Sequence, residues 1–493
     1  MESKERCVLR PFFEPRGVAV IGSLREGRGE GYIAIENMLR LGFAGRIYPV
    51  NPSYDQVLGM RAYPTVDDLE GPIDLAVVIT PPSTVATIVE RCARKGIRAV
   101  IVSTEGFAEA GKAGAKLQQQ LLNTARHAGV RLIGPNTLGI VNTSNGLITN
   151  PYPMGYKRIR KGNIAYSSQS GVIGAHAQPM EDRSYHVGKT CDFGNKCDVD
   201  EADWLDYLMD DPGTRVIAMH MEAIKDGRRF MDRLRRTAAR KPVFIFKTGR
   251  SEQGARASAS HTGSLAQSPQ ICNDAFKQAG AIPVNTWQEF WEMPKVFESQ
   301  PLPQGNRIAI VTLTGGVGVA ATDVAVESGL AMAQFSDATM EILSGLSPNL
   351  TKNPIDVGPT MVLTDNPLAV YDTALTAVLS DPNVDCAAII LFAGSAPPVG
   401  TTVSMLARLK QRISKPMAVW MYGPRMHFRD KLSRQLEAFG LPAYLEMETA
   451  IRALGIAARY AKVKSELGRE ASRGSPTITT RRKAENRSKS PAS

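Results

Sequence analysis

One histidine in this chain sits where packing gives it no reason to be. Residues 257–266 read ASASHTGSLA, so His261 has Ala, Ser, Thr and Gly around it and only Leu265 as a bulky neighbour. A core histidine would have apolar walls, and a metal ligand would bring further ligands close by. A neutral imidazole is a good nucleophile and can carry a phosphoryl group, because the P–N bond is labile enough to pass it on. Such a carrier needs an anion cradle, a carboxylate to orient the ring, and room to swing. The small flanking residues supply the room. Glu222, at the carboxyl end of the strand-like VIAMHME, is the candidate orienting carboxylate; a strand-end acid held in a salt bridge is the plainer reading of the same residue. The remaining histidines, His127, His176, His186, His220 and His427, fall in helix-like or strand-like contexts, and His176 and His220 neighbour the proposed site.

Two strand-to-helix turns offer a cradle. IAYSSQSGVIGAHA breaks at Ser170-Gly171, and IAIVTLTGGVGVAATDV breaks at Gly315-Gly316; a helix is expected after each. Helix starts carry free N–H groups and the positive end of the macrodipole, and small residues let the backbone approach an anion closely. Gly and Ser also make ordinary tight turns, so each turn alone is ambiguous. The N-terminal turn GSLREGRGEG is neither a Walker A nor a well-placed GxGxxG, and its nucleotide signal is weak.

These residues must be held by an alternating scaffold. GVAVIG (17–22), RIYPVNP (46–52), DLAVVIT (74–80), RAVIVST (98–104) and VRLIGPNTLGI (130–140) alternate with helical patterns, including STVATIVERCARKG with Ser83 as its N-cap candidate. The alternation restarts at GNIAYSSQSG (162–171) and again at NRIAIVTLTGG (306–316), with CAAIILF and PMAVWMY further on. Strands alternating with helices of this length imply parallel, doubly wound sheets, whose ligands bind beyond the strand carboxyl ends. The expected organisation is α/β, with domains at 1–155, 156–300 and 301–463 and a tail at 464–493.

Composition narrows the function classes. The chain has 493 residues, 43% hydrophobic and 22% charged, which is ordinary globular material for about three domains. No apolar run approaches the ~18–20 residues of a membrane span, and the opening MESKERCVLRPFF has no signal-peptide pattern. Cys7, Cys92, Cys191, Cys197, Cys272 and Cys386 form no CxxC pair, so reduced thiols in a cytoplasmic protein are expected and no metal site is. The net charge is +11, of which the tail after Lys464 contributes +4. That tail is too polar to bury a core and is expected to be disordered. A solvated tail, not nucleic-acid or membrane binding, is the expected reading of its charge.

With these stretches in view, the sequence resembles the nucleoside-diphosphate-forming acyl-CoA synthetases, with succinyl-CoA synthetase as a more distant relative. The resemblance is carried by GVAVIGS with GFAGRIYPVNPSYDQVLGMRAYPTVDDL, IDLAVVITPP, RLIGPNTLGIVNT, SSQSGVIGAH, FGNKCDVDEADWLDYLMDDP, KTGRSEQGARASASHTGSLA, TGGVGVAATD and NPIDV, spread over nearly the whole body. It implies a Rossmann-like domain that binds coenzyme A, followed by two flavodoxin-like CoA-ligase domains. His261 would be the phosphohistidine and Glu222 its orienting acid. Ser170, Gly171, Gly315 and Gly316 would cradle phosphate, while Gly22, Ser23, Asn51, Pro52, Pro81 and Asn136 would line the coenzyme A site. The three α/β domains leave no room for the ATP-grasp domain of such enzymes. The resemblance therefore implies an α subunit whose ATP-grasp β subunit binds ATP or ADP and Mg2+, in an α2β2 heterotetramer.

The implied reaction interconverts acyl-CoA, phosphate and ADP with a small carboxylic acid, CoA and ATP. A non-catalytic acyl-CoA-binding or regulatory protein on the same scaffold is the alternative. Three stretches depart from the family pattern. Gly22-Ser23-Leu24-Arg25 replaces G-A-S-R, placing Leu24 where a phosphate-binding hydroxyl is usual. Gly315-Gly316-Val317-Gly318 replaces G-G-P-G and loses a proline that presets the first helical turn. Asp192-Phe193-Gly194-Asn195-Lys196 replaces S-V-G-N-K, adding an acid near the implied acyl pocket.

Overall fold

The computed structural model of the protein describes residues 8–154, 160–173, 186–254, 256, 269–393 and 399–472. Its apolar runs form three mainly parallel sheets. In the first, β1 (Gly17–Gly22), β2 (Arg46–Val50), β3 (Leu75–Ile79), β4 (Ala99–Val102) and β5 (Arg131–Ile133) take the order β2-β1-β3-β4-β5. The second comprises β6 (Ile140–Asn142), β7 (Leu147–Ile148), β8 (Ile164–Ser168), β9 (Val187–Asp192), β10 (Val216–Met221), β11 (Val243–Lys247) and β12 (Ile282–Val284), ordered β12-β11-β10-β8-β9-β6-β7. The third holds β13 (Arg307–Thr312), β14 (Ala331–Met332), β15 (Ile355–Asp356), β16 (Cys386–Phe392), β17 (Met417–Tyr422) and β18 (Ala443–Tyr444). Its order is β14-β13-β16-β17-β18, with β15 also paired to β13.

The three sheets repeat one topology. In each, the chain lays its first parallel strand, adds the second to one side, then crosses over to the other; in the third sheet β15 joins β14's side of β13 before that crossover. The switch points therefore lie between β1 and β3, between β8 and β10, and between β13 and β16, and the crevice beyond their carboxyl ends is where such sheets take ligands.

Strands buried on both faces read as continuous apolar runs because each face meets its own layer. Val18 and Val20 of β1 enter one core while Ala19 and Ile21 enter another. The same alternation separates Ala165 from Ile164 and Tyr166 in β8, and Ile308 and Ile310 from Ala309 and Val311 in β13. One core contains residues of the first and second sheets, and a second core contains residues of the second and third. The three sheets are thus packed through shared apolar layers.

Three details refine the sequence expectations. The short strands β6 and β7 lie within 1–155, yet β6 pairs antiparallel with β9 of the second sheet, tying the first unit to the second. The helix expected to begin at Ser83 spans Pro82–Arg94 with Pro81 at its N-cap and no side-chain cap, so Ser83 lies inside its first turn. Proline suits that opening because its missing N–H has no helical partner there. The C-terminal helix spans Met447–Ser472, running into the stretch expected to be disordered; residues 473–493 lie outside the described residues.

Candidate functional site

The second sheet's switch point is a closed hydrogen-bond circuit. β8 and β10 pair in parallel, which brings Ser168-Gln169-Ser170-Gly171 beside Met221-Glu222-Ala223. Buried Gln169 accepts the amides of Glu222 and Ala223 on its Oε1, at 2.8 and 2.9 Å. The Ser170 amide donates to Ser168 Oγ at 2.9 Å, Ser168 Oγ lies 2.7 Å from His220 Nδ1, and His220 Nε2 lies 3.0 Å from Thr248 Oγ1. His220 is therefore a buried member of this circuit, linking the ends of β8, β10 and β11. Beyond Gly171 the chain makes a single 3-10 turn, Gly171–Ile173; residues 174–185, where the helix was expected and where His176 lies, are outside the described residues.

Three lysines fasten the same loops by donating to backbone carbonyls. Lys247 reaches the carbonyls of Glu222 and Thr248 at 2.6 and 2.7 Å, and Lys196 reaches the carbonyl of Ala223 at 2.8 Å and Glu201 Oε1 at 2.6 Å. Lys225 donates to the carbonyls of Asn195 and Lys196. Burial holds the ammonium groups of Lys225 and Lys247 below the ordinary lysine range. Spacing in the sequence singled out neither Gln169 nor these lysines, since their partners on the facing loops lie tens of residues away. The Gln within SSQSG was the one local signal.

A cleft of about 680 Å3 runs from this switch point to the carboxyl ends of β3, β4 and β5. Four of the sequence-selected residues, Pro81, Asn136, Ser170 and Gly171, line it together. Its floor is stitched between the first two units: the amides of Asn195 and Cys197 donate to the carbonyls of Pro135 and Gly134, at 2.9 and 3.0 Å. Gly194, at φ +52°, is required there, because a Cβ would stand 2.2 Å from the carbonyl oxygen of Asn136.

Asp192, at the end of β9, is part of the cleft wall and buried. Its Oδ2 accepts the Leu138 amide at 2.7 Å and its Oδ1 the Gly194 amide at 3.2 Å. Burial pushes its carboxyl up to about 6; the Leu138 and Gly194 amides and the Thr137 hydroxyl pull it back, and the charge of Glu222 adds to the rise.

The other selected residues fall elsewhere. Gly22, Ser23, Asn51 and Pro52 sit at the ends of β1 and β2, where Asn51 Nδ2 donates to the Gly22 carbonyl at 2.7 Å. Gly22 approaches β3 so closely that a Cβ would stand 2.4 Å from the Ile79 oxygen. Ser23 is exposed, whereas Leu24 is 1% exposed and packs into the core, so the leucine does not face the space a hydroxyl would serve. Gly315 and Gly316 open the helix Gly315–Glu327, whose N-cap, Thr314, makes no side-chain cap. The adjoining Leu313 and Thr314 line a different cavity, of about 450 Å3, with Asp356, Phe392 and Tyr422. His261 lies outside the described residues. Among the described residues no group of three or more His, Cys, Asp or Glu is placed to hold a metal, and no helix is long and apolar enough to cross a membrane.

The Gln169 bridge yields a first prediction. Gln169→Leu removes the acceptor of two amides and should destabilise the protein by about 1–3 kcal/mol, the usual consequence of leaving buried donors unmade. Urea unfolding checks the magnitude; an unchanged midpoint would mean that the Glu222 loop holds its place without Gln169.

Known proteins fit this arrangement along nearly the whole chain. A CoA binding domain model matches residues 16–143, and a succinyl-CoA ligase like flavodoxin domain model matches 161–297. The α subunit of ADP-forming acetate–CoA ligase II of Pyrococcus furiosus is 37% identical over 467 residues, covering 93% of this chain and 98% of the relative. ADP-forming acetate–CoA ligase II of Archaeoglobus fulgidus is 35% identical over 461 residues, covering 92% of this chain and 67% of the relative. Among solved structures, acetyl-coenzyme A synthetase 1 of Ca. Korarchaeum cryptofilum in complex with phosphate and ADP superposes with a TM-score of 0.85 at 30% identity, covering 94% of this chain and 98% of that one. Agreement of that extent, over the strands and turns that build the cleft, means that the chain belongs to the ADP-forming acyl-CoA synthetase family.

Proposed function

We propose that this chain is the α subunit of an ADP-forming acyl-CoA synthetase, binding the thioester in the cleft and carrying phosphate on His261. The observation that carries this reading is the single cleft uniting Pro81 and Asn136, from the matched CoA binding domain, with Ser170 and Gly171, from the ligase-like domain. Coenzyme A would lie along the carboxyl ends of the first sheet, with Gly22, Ser23, Asn51 and Pro52 at the neighbouring strand ends. Its thioester would point toward the Ser170 turn and Asp192.

In the ATP-forming direction, a phosphate oxygen attacks the thioester carbonyl carbon. The C–S bond breaks, CoA leaves as the thiolate, and an acyl phosphate forms. A ring nitrogen of His261 then attacks phosphorus, and the bond between phosphorus and the acyl oxygen breaks, releasing the carboxylate. Phosphohistidine finally transfers its phosphoryl group to ADP. Positioning and charge stabilisation dominate such transfers. The start of the Gly315–Glu327 helix, which has no side-chain cap, and the Gly171 end of the Ser170 turn would supply amide donors for them, the Ser170 amide itself being given to Ser168 Oγ. Glu222, on the loop held by Gln169, Lys196 and Lys247, is the residue to orient the imidazole.

The nucleotide and Mg2+ would bind on an ATP-grasp β subunit in an α2β2 assembly, in keeping with relatives named as α subunits. A cytoplasmic setting is supported by the free thiols of Cys92, Cys191, Cys197, Cys272 and Cys386. Incubation with the β subunit, Mg2+ and γ-labelled ATP should give an acid-labile, base-stable phosphoprotein. Absence of label on this chain would sink the reading.

A further inference from the structure

The cleft that takes the thioester has an unusual electrostatic character. Among its described lining residues are three carboxylates, Glu30, Glu105 and Asp192, and no lysine, arginine or histidine. Glu30 and Glu105 belong to the first unit, whereas Asp192 stands at the second sheet's end of the cleft with Ser170 and Gly171. Its position is fixed, because the amides of Leu138 and Gly194 hold one oxygen each. An ionised carboxylate offers about four acceptor directions, so these two bonds and the Thr137 hydroxyl still leave capacity unused. No ion pair neutralises Asp192 among the described residues, and the nearby charge of Glu222 makes the site still more negative.

We infer that Asp192 sets acyl specificity: it favours acyl groups ending in an uncharged hydrogen-bond donor, hydroxyacyl groups above all, over plain alkyl groups, and it rejects acyl groups ending in a second carboxylate. This rests on the proposed placement of the thioester in the cleft. A terminal hydroxyl can donate into the open acceptor directions of a fixed, buried carboxylate. A methyl group leaves them unmet, and a second carboxylate adds repulsion that no cation in the described wall offsets. Hydrogen-bond readout of a substrate hydroxyl discriminates more strongly than a pocket that reads only shape, and a bond to a charged group is among the stronger ones. The carboxyl, pushed up to about 6 by burial, is mainly ionised above pH 7 and therefore acts as an acceptor there.

Three four-carbon thioesters, 4-hydroxybutyryl-CoA, butyryl-CoA and succinyl-CoA, differ only at the far end of the acyl group and test this with the full chain by calorimetry. At pH 7.5 the hydroxy thioester should bind about 10- to 100-fold more tightly than butyryl-CoA, with succinyl-CoA weakest. Asp192→Ser and the near-isosteric Asp192→Asn should compress the three affinities to within about threefold. Free CoA separates the two levels of the argument: if the chain does not bind CoA, the cleft assignment fails. If CoA binds but the series is flat or led by succinyl-CoA, Asp192 does not select the acyl group. An order surviving in both variants overturns the inference equally.

The wild type supplies the same comparison without a substitution. On lowering pH from 7.5 to 5.5, protonation of Asp192 should raise the affinity for succinyl-CoA relative to butyryl-CoA. Among the described residues, Glu222, Glu30, Glu105 and Tyr152 are the other titratable groups that line the cleft or act on Asp192, and the CoA moiety common to all three ligands cancels in the ratio. A ratio that does not move with pH would count against Asp192.

Discussion

Replacing His261 by asparagine should abolish net acyl-CoA synthesis, by at least about 10^4-fold, when the chain is assayed with its partner subunit. The reason is chemical. On the proposed mechanism, nucleotide and thioester exchange phosphate only through a nucleophile that first takes the phosphoryl group and then releases it. Asparagine has a similar polar reach but no nucleophilic ring nitrogen. The variant should therefore show no acid-labile label, while CoA still binds in the cleft built by Pro81, Asn136 and the Ser170 turn. Loss of both activity and CoA binding would point to a structural role for His261. Persistent labelling would place the phosphoryl group on another residue. Glu222→Gln should fall between these limits: it keeps the loop's backbone bonds to Gln169 and Lys247 but removes the charge that stabilises an imidazolium. Slower phosphorylation with unchanged CoA binding is the expected pattern.

Much of the scaffold was legible because it depends on local patterns. Strands covered on both faces must be apolar at every position, and the helices between them bring the chain back to the same sheet edge in parallel. GVAVIG, LAVVI and RIAIVT each became a central strand for that reason. The turns at Ser170 and Thr314 were legible for a related reason, since small residues mark where a strand must stop beside a ligand space. What could not be read was which strand ends meet. Leu24 looked like a substitution facing a ligand and is a core residue, because only the packed helix after β1 decides where position 24 points. The pairing of β6 with β9 joins residues 47–51 apart, which no spacing rule encodes. Asp192 was visible as an added acid, but its burial and its Leu138 amide partner depend on the first unit's loop meeting the end of the second sheet; only the Gly194 amide is local. The lysine fastenings were hidden for the same reason. A lysine in sequence reads as a solvated charge until a long-range fold buries it.

The most hidden of these lysines makes the strongest stability prediction. Lys196 adopts φ +54°, its side chain is fully buried, and its ammonium lies 2.6 Å from Glu201 Oε1, whose side chain is 3% exposed. The pair replaces an apolar contact that the surrounding core could have supplied, so its net worth is modest while both partners are present. Removing one partner is different. Lys196→Met leaves Glu201 as a buried carboxylate without its counter-ion, which should cost about 3–5 kcal/mol in urea unfolding at pH 7.5. The deficit should shrink as pH falls, because an unpaired buried carboxylate has a raised pKa in the folded state and folds at less cost once protonated. Lys196→Met with Glu201→Leu removes both charges and should recover most of the loss. The catalytic consequence separates from the thermodynamic one. Lys196 also holds the Ala223 carbonyl at 2.8 Å, next to Glu222. The double variant should therefore fold nearly as stably as the wild type yet phosphorylate His261 more slowly, because the Glu222 loop has lost one of its fastenings. A double variant with wild-type phosphorylation would show that Gln169 and Lys247 alone suffice to place that loop. A single variant of unchanged stability would show that water or a rearranged neighbour reaches Glu201.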